Sequence, residues 1–135
     1  MTITRGNIIN IHPLLGFAAL ENDALAGAVL YEIRDKECEI VVLYSVMESI
    51  GAGSALIQAV ADLARAQNCA RVWLITTNDN THAIRFYQRR GFDLKAVHIN
   101  AIDLTRKLKG EAWKGGTLGI DGIPIKHEFE FEIKL

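Results

Sequence analysis

The sequence predicts an α+β fold: a mixed, mostly antiparallel sheet with helices packed on both faces. Three observations point there. Three apolar stretches joined by short polar turns occupy the first third of the chain. Between residues 53 and 99 the apolar spacing switches twice from a helical period to a strand period. The last eight residues alternate strictly between apolar and charged side chains.

The elements follow in order. Ile8, Ile9 and Ile11 suggest an edge strand or extended arm. Gly16–Leu20 reads as a strand, and Glu21-Asn22-Asp23 as the turn after it, because these residues favour turns. A second strand covers about Ala26–Ile33, Arg34-Asp35-Lys36 turns again, and a third strand covers about Cys38–Val46. From Gly53 to Gln67, Leu56, Ile57, Val60, Leu63 and Ala64 form one stripe of an amphipathic helix, with Asn68 as its stop. The unbroken run Val72-Trp73-Leu74-Ile75 within Arg71–Thr76 reads as a strand buried on both faces. Asn80 or Thr81 caps a second helix to Arg90, and Gly91 ends it. Phe92–Ile99 is a further strand. Ala101–Lys109 suggests a helical turn or two, and Gly110–Pro124 a loop. In Glu128–Leu135 the residues Phe129, Phe131, Ile133 and Leu135 should face the core, with Glu128, Glu130, Glu132 and Lys134 in water.

The chain has 135 residues and a formal net charge of -1. That length suits a single domain over 1–135. The balanced charge gives no argument for nucleic acid or an anionic membrane as partner. No stretch has the shape of a signal peptide or a bilayer span, so a cytoplasmic protein is expected. Cys38 and Cys69 form no CxxC pair and read as buried reduced thiols; His12, His82, His98 and His127 stand singly, so no metal site is expected.

The segment Glu48-Ser49-Ile50-Gly51-Ala52-Gly53-Ser54 joins a strand to a helix. Glycines allow a tight turn and close approach of a ligand, and the N–H groups and dipole of the helix start favour an anion. A phosphate loop of the GxxxxGK[ST] type is poorly matched, since no lysine follows Gly53. A dinucleotide fingerprint is also poorly matched, since Leu56 stands at its third glycine. The pyrophosphate of coenzyme A is the third option, and a plain tight turn the fourth.

A second motif narrows the choice. Asn78-Asp79-Asn80-Thr81-His82-Ala83-Ile84-Arg85-Phe86-Tyr87, continuing to Gly91-Phe92, resembles the second signature of GNAT acetyltransferases: an Asn-rich loop, Ala, Phe-Tyr, then Gly-Phe. The segment Gly51-Ala52-Gly53-Ser54-Ala55-Leu56 resembles that family's pyrophosphate loop. The two stand in the family's order over about Glu39–Phe92.

The resemblance implies an N-acetyltransferase that moves the acetyl group of acetyl-CoA to an amine. It implies that the backbone of Ile50, Gly51, Ala52, Gly53 and Ser54 holds the pyrophosphate, and that Asn80 bonds the pantetheine or its neighbouring backbone. It implies that the sheet splays after the third strand to admit the pantetheine arm, and that a backbone N–H within Val41–Tyr44, with Leu43 as the cofactor-binding choice, stabilises the oxyanion. Tyr87 would protonate the departing thiolate. Glu39, a carboxylate in an apolar strand, is the candidate base for the ammonium; Glu37, Tyr44 and His98 are weaker ones.

Other side chains have plainer readings. Phe86 is expected in the core, and Arg85, Arg89 and Arg90 on a solvated face, with a contact to the 3′-phosphate of CoA as the sharper reading. Trp73 and Trp113 are expected to pack. The alternating C-terminal strand could also form an intersubunit edge.

Two departures from the family pattern stand out. Glu48 occupies the first loop position, often Arg or Gln in the family, where a carboxylate repels a pyrophosphate unless it turns away. Only about 15 residues precede Gly16, where the family usually has a strand and one or two helices. The acceptor side is therefore expected to be open or completed by a second subunit, as in a homodimer. Two rivals to the enzyme reading follow: a non-catalytic acyl-CoA-binding module or sensor, and a small interaction domain that binds neither ligand.

Overall fold

The computed structural model describes residues 2–4, 7–9, 15–45, 51–102 and 118–135. Ile11, Glu48, Ser49, Ile50, Trp113 and the expected turn beyond Ile102 lie outside them. Strands β1 (Thr2–Thr4) and β2 (Asn7–Ile9) pair with each other. They are followed by β3 (Leu15–Glu21), β4 (Ala24–Arg34), β5 (Glu37–Ser45), α1 (Ala52–Ala66), β6 (Arg71–Thr77), α2 (Thr81–Arg89), β7 (Asp93–His98) and β8 (Glu128–Lys134). Strands β3 to β8 form a mixed sheet in the order β3-β4-β5-β6-β8-β7. The chain packs as two compact units: Pro13–Leu74 with Ile133–Leu135, and Met1–His12 with Ile75–Glu132.

In the first unit, β3, β4 and β5 are an antiparallel meander, and the expected turns are what allow it. Asn22-Asp23 and Asp35-Lys36 are two-residue loops, flanked by the pairs Glu21↔Ala24 and Arg34↔Glu37. All four loop residues have positive φ, between 52° and 64°. That is the hairpin turn whose twist matches the strands, and Asn and Asp tolerate it best. β5 then pairs in parallel with β6 over Glu37–Ile40 and Arg71–Leu74. Helix α1 packs on β3, β4 and β5. Val29, Cys38, Val60, Ala64, Val72 and Leu74 are at most 2% exposed and form the centre of this unit.

Both helices end the same way. After α1, Cys69 N–H donates to the Ala64 carbonyl (2.9 Å) and Asn68 N–H to that of Arg65 (3.0 Å), with Asn68 at φ 60°. After α2, Phe92 N–H donates to the Tyr87 carbonyl and Gly91 N–H to that of Gln88, both at 3.1 Å, with Gly91 at φ 91°. These paired bonds satisfy the last carbonyls of each helix and turn the chain back toward a strand, which requires a left-handed residue at the turn. The apolar contact that accompanies this ending is also present: the Tyr87 and Phe92 rings meet at 5.4 Å.

The C-terminal strand departs from expectation. β8 is not half in water: Glu128, Glu130 and Glu132 are 4%, 5% and 7% exposed, and Phe131 is 1% exposed. β7, not β8, is the outer strand, so β8 cannot supply the sheet edge for a second subunit. The carboxylates keep polar partners in the interior, as buried charges must; His98 Nε2 lies 3.0 Å from Glu130 Oε1. The exposed edge carries its own protection, a bulge at Lys95 between the pairs Leu94↔Phe131 and Ala96↔Glu130.

Gly91→Ala should destabilise the protein by about 1–2 kcal/mol, because a side chain at this φ is strained although the space is open. Asn68→Gly, at the equivalent turn of α1, should be neutral or slightly stabilising. Urea unfolding midpoints of the two variants test this; equal losses would mean that left-handed geometry does not control the helix ends.

Candidate active site

The glycine turn begins the site. Gly51 is the N-cap of α1 at φ 77°, and as a glycine it brings no side-chain cap to this helix. No acidic residue lies in its first turn. A Cβ placed on Gly51 would meet nothing within 4 Å. This is a helix start left open on the outside, with Ala52 and Gly53 buried behind it. Asn80 gives α2 the opposite treatment: its Oδ1 accepts from the Ala83 N–H at 3.1 Å. Of the two helix starts, the first is therefore the one suited to an incoming anion. Ile50 and Glu48 lie outside the described residues.

Strand β5 carries the other expected residues, and its geometry differs from a regular strand. Ile40 pairs with Tyr31 but Val42 pairs with Leu30, so Val41 is an extra residue, a β-bulge. In an unbroken strand Glu39 and Leu43 would share a face. The bulge separates them: Leu43 falls on the side of Val29, Tyr31, Ile40 and Cys38, while Glu39 shares its side with Val42 and Tyr44. Glu39 is half-buried, opposite Glu32 on β4 and Trp73 on β6. Glu37, the neighbouring alternative base, is bound to Arg71 (Nε–Oε1 2.9 Å), whose guanidinium lies 4.9 Å from the Trp73 ring centre. His98, a further alternative, is engaged with Glu130. Tyr44 is 52% exposed.

In the second unit, Tyr87 is the one buried residue of α2. Its ring is held edge-on by Phe86 (5.2 Å) and by Phe92. Burial pushes its phenol up to about 12, so it is a protonated donor throughout the neutral range. Phe86, expected in the core, is instead only half-buried. The Arg90 guanidinium covers it at 3.5 Å from the ring centre and donates to the Phe86 carbonyl. Arg90 is thus committed to its own helix, while Arg85 and Arg89 are exposed as expected.

Two further side chains, which the sequence marks only as part of an Asn-rich loop, hold distant backbone. Asn78 Oδ1 accepts from the N–H groups of Lys126 (2.9 Å) and His127 (2.8 Å), and its Nδ2 donates to the Pro124 carbonyl (2.9 Å). Asp79 Oδ2 accepts from Ile120 N–H at 3.1 Å. The loop's polar composition was the signal; its partners, more than 40 positions away, were not visible. Elsewhere, burial, with Cys69 and Glu39 nearby, pushes the Cys38 thiol up to about 12. Cys38 is therefore an inert packing residue, and both cysteines are free and buried.

A mixed six-stranded sheet with a glycine turn before one helix and a buried tyrosine on the next defines an acyl-CoA N-acyltransferase fold. Residues 3–92 match the acetyltransferase (GNAT) family, and the chain belongs to it. The chain is 42% identical over 132 residues to the uncharacterized protein YdhI of Bacillus subtilis, spanning 97% of this chain and 80% of that one. It is 39% identical over 129 residues to the uncharacterized protein YxbD of the same organism, spanning 95% and 79%. An acetyltransferase of Bacillus subtilis in complex with CoA has the same fold, with a TM-score of 0.74 at 20% identity over 89% of this chain and 76% of that one. A GNAT acetyltransferase of Elizabethkingia anophelis with acetyl-CoA bound gives 0.73 at 18% identity over 89% and 75%. The protein is an acetyltransferase, and acetyl-CoA is its co-substrate.

The Tyr87 phenol also makes a stability prediction. Its pKa is raised from the usual 10.0 to about 12 in the fold. The stability from keeping it neutral is fully present below pH 10 and is lost as pH rises through about 12. The full loss is about 2–3 kcal/mol. Unfolding free energies of the wild type and Tyr87→Phe should therefore diverge in slope across that window, with the wild type falling more steeply. Cys38 titrates in both proteins and cancels from the comparison. Parallel slopes would show that Tyr87 is not desolvated.

Proposed function

We propose that this acetyltransferase acts on an amine. The backbone around Ile50, Gly51, Ala52, Gly53 and Ser54 takes the pyrophosphate of acetyl-CoA, and Asn80 and the Leu43 backbone take the pantetheine arm. The observation that carries the reading is the uncapped, glycine-led start of α1, within a segment that matches the family. An anion there would complete a helix end whose N-cap residue, a glycine, has no side chain to offer.

The chemistry assigns three roles. The acceptor ammonium loses a proton to Glu39, directly or through water. The neutral amine attacks the thioester carbon, and the new oxyanion is met by a backbone N–H in Val41–Tyr44, where the bulge redirects the strand. The attacking nitrogen gives up its second proton to solvent, the tetrahedral intermediate collapses, the C–S bond breaks, and the CoA thiolate takes a proton from the Tyr87 hydroxyl. A phenol with a pKa near 12 holds that proton until the thiolate forms, and must recover it from solvent before the next turnover.

Titration calorimetry with acetyl-CoA tests the cofactor site, with NADH as control. Micromolar binding of acetyl-CoA alone is expected; equal binding of NADH, or none of either, sinks the assignment. A panel of amines then tests transfer. Tyr87→Phe should lower turnover by about a hundredfold or more, with acetyl-CoA affinity nearly unchanged. An undiminished rate would remove Tyr87 from the mechanism.

A further inference from the structure

Three consecutive residues precede α2, and each is tied to a different place. Asn80 caps the helix through its Oδ1. Asn78 is bonded through both side-chain atoms to residues 124–127, and its N–H donates to the His127 carbonyl (3.0 Å). Asp79, only 5% exposed, meets the tip of a small hairpin formed by Leu118–Pro124. In that hairpin Gly119 N–H donates to the Ile123 carbonyl at 2.7 Å, and residues Ile120–Gly122 make a single 3-10 turn.

The contact between Asp79 and this tip is unusually close. A Cβ on Gly119 would overlap the Asp79 carboxylate, so glycine is required there by space and not by φ. The carboxylate is short and cannot swing aside as a long side chain would. Oδ2 is bonded to Ile120 N–H, while Oδ1 is buried without a hydrogen-bond partner among the described residues. An interior carboxylate with one oxygen unsatisfied is unfavourable on its own account. The bond that Oδ2 accepts from Ile120 N–H is the carboxylate's one hydrogen bond among the described residues, and it ties Asp79 to the hairpin tip.

We propose that Asp79 and Gly119 are positioning residues for acetyl-CoA binding. Together they seat the 118–124 hairpin against the loop that carries Asn80, and so fix where Asn80 presents its amide. The proposal rests on the reading of Asn80 as a pantetheine ligand given above. Asn80 itself is spent on its Oδ1 cap, so a shift of the loop by the hairpin moves the remaining amide nitrogen directly.

The test uses the full chain, with acetyl-CoA affinity by calorimetry beside the unfolding midpoint. Asp79→Ala and Gly119→Ala should each weaken acetyl-CoA binding about three- to thirtyfold. In the double variant Gly119→Ala should add almost nothing, because the overlap it creates is with the deleted carboxylate. Asp79→Asn keeps an oxygen for the Ile120 N–H and should bind within about twofold of the wild type. Asp79→Glu, which lengthens the contact while retaining the charge, serves if the alanine variant does not fold, and should weaken binding. Lowered midpoints with unchanged affinity would overturn the proposal and leave a purely structural role. Independent, additive losses would overturn the coupling. No binding by the unaltered chain would instead sink the acetyl-CoA reading itself, and this role with it.

Discussion

A left-handed residue at the end of each helix is the constraint on which the remaining architecture depends. Asn68 and Gly91 let the chain reverse within two residues while the last carbonyls of α1 and α2 stay bonded. At α2 this reversal fixes Tyr87 in particular. Its carbonyl accepts from Phe92 N–H, and its ring packs on the Phe92 ring. The same few residues therefore end a helix, start a strand and immobilise the phenol assigned to the chemistry. That economy explains why Gly-Phe follows the tyrosine so closely: glycine supplies the turn and phenylalanine the wall.

The acetyl-CoA chemistry divides between two kinds of support. The pyrophosphate reading relies on backbone alone, through the open start of α1. The proton-transfer reading relies on side chains in contrasting surroundings. Tyr87 is desolvated and kept neutral, whereas Glu39 is half-buried opposite Glu32 of β4. An acid that must keep its proton until the thiolate forms is served by burial, and a base that must accept a proton from an incoming ammonium by being within its reach.

Much of the fold was legible because the decisive signals are local. Asn22-Asp23 and Asp35-Lys36 mark hairpins, and Leu56, Ile57, Val60 and Ala64 mark a helical stripe, within windows of a few residues. The Asn80 cap and the Gly91 stop were legible for the same reason. What escaped was long-range. The alternation of Glu128–Leu135 looks the same whether its polar face meets water or protein, and only the tertiary packing shows that Glu128, Glu130 and Glu132 are enclosed. Phe86 reads as a core residue on the buried side of the second helix, but it is only half-buried, and Arg90, one turn later, covers its ring. The grip of Asn78 and Asp79 on residues 118–127 joins segments that no short window contains together.

The bulge at Val41 was equally invisible, since Ile40, Val41, Val42 and Leu43 are interchangeable to any pattern of hydrophobicity. Its consequence is one of parity. A strand counts in twos, and a single added residue makes the count odd, so everything before it is turned over relative to everything after. Removing one residue at this point would leave both flanking sequences intact, yet it would return Glu39 and Leu43 to the same face, so that both or neither look toward the helix. In this strand the number of residues, more than their identity, decides which side of the sheet each functional group serves.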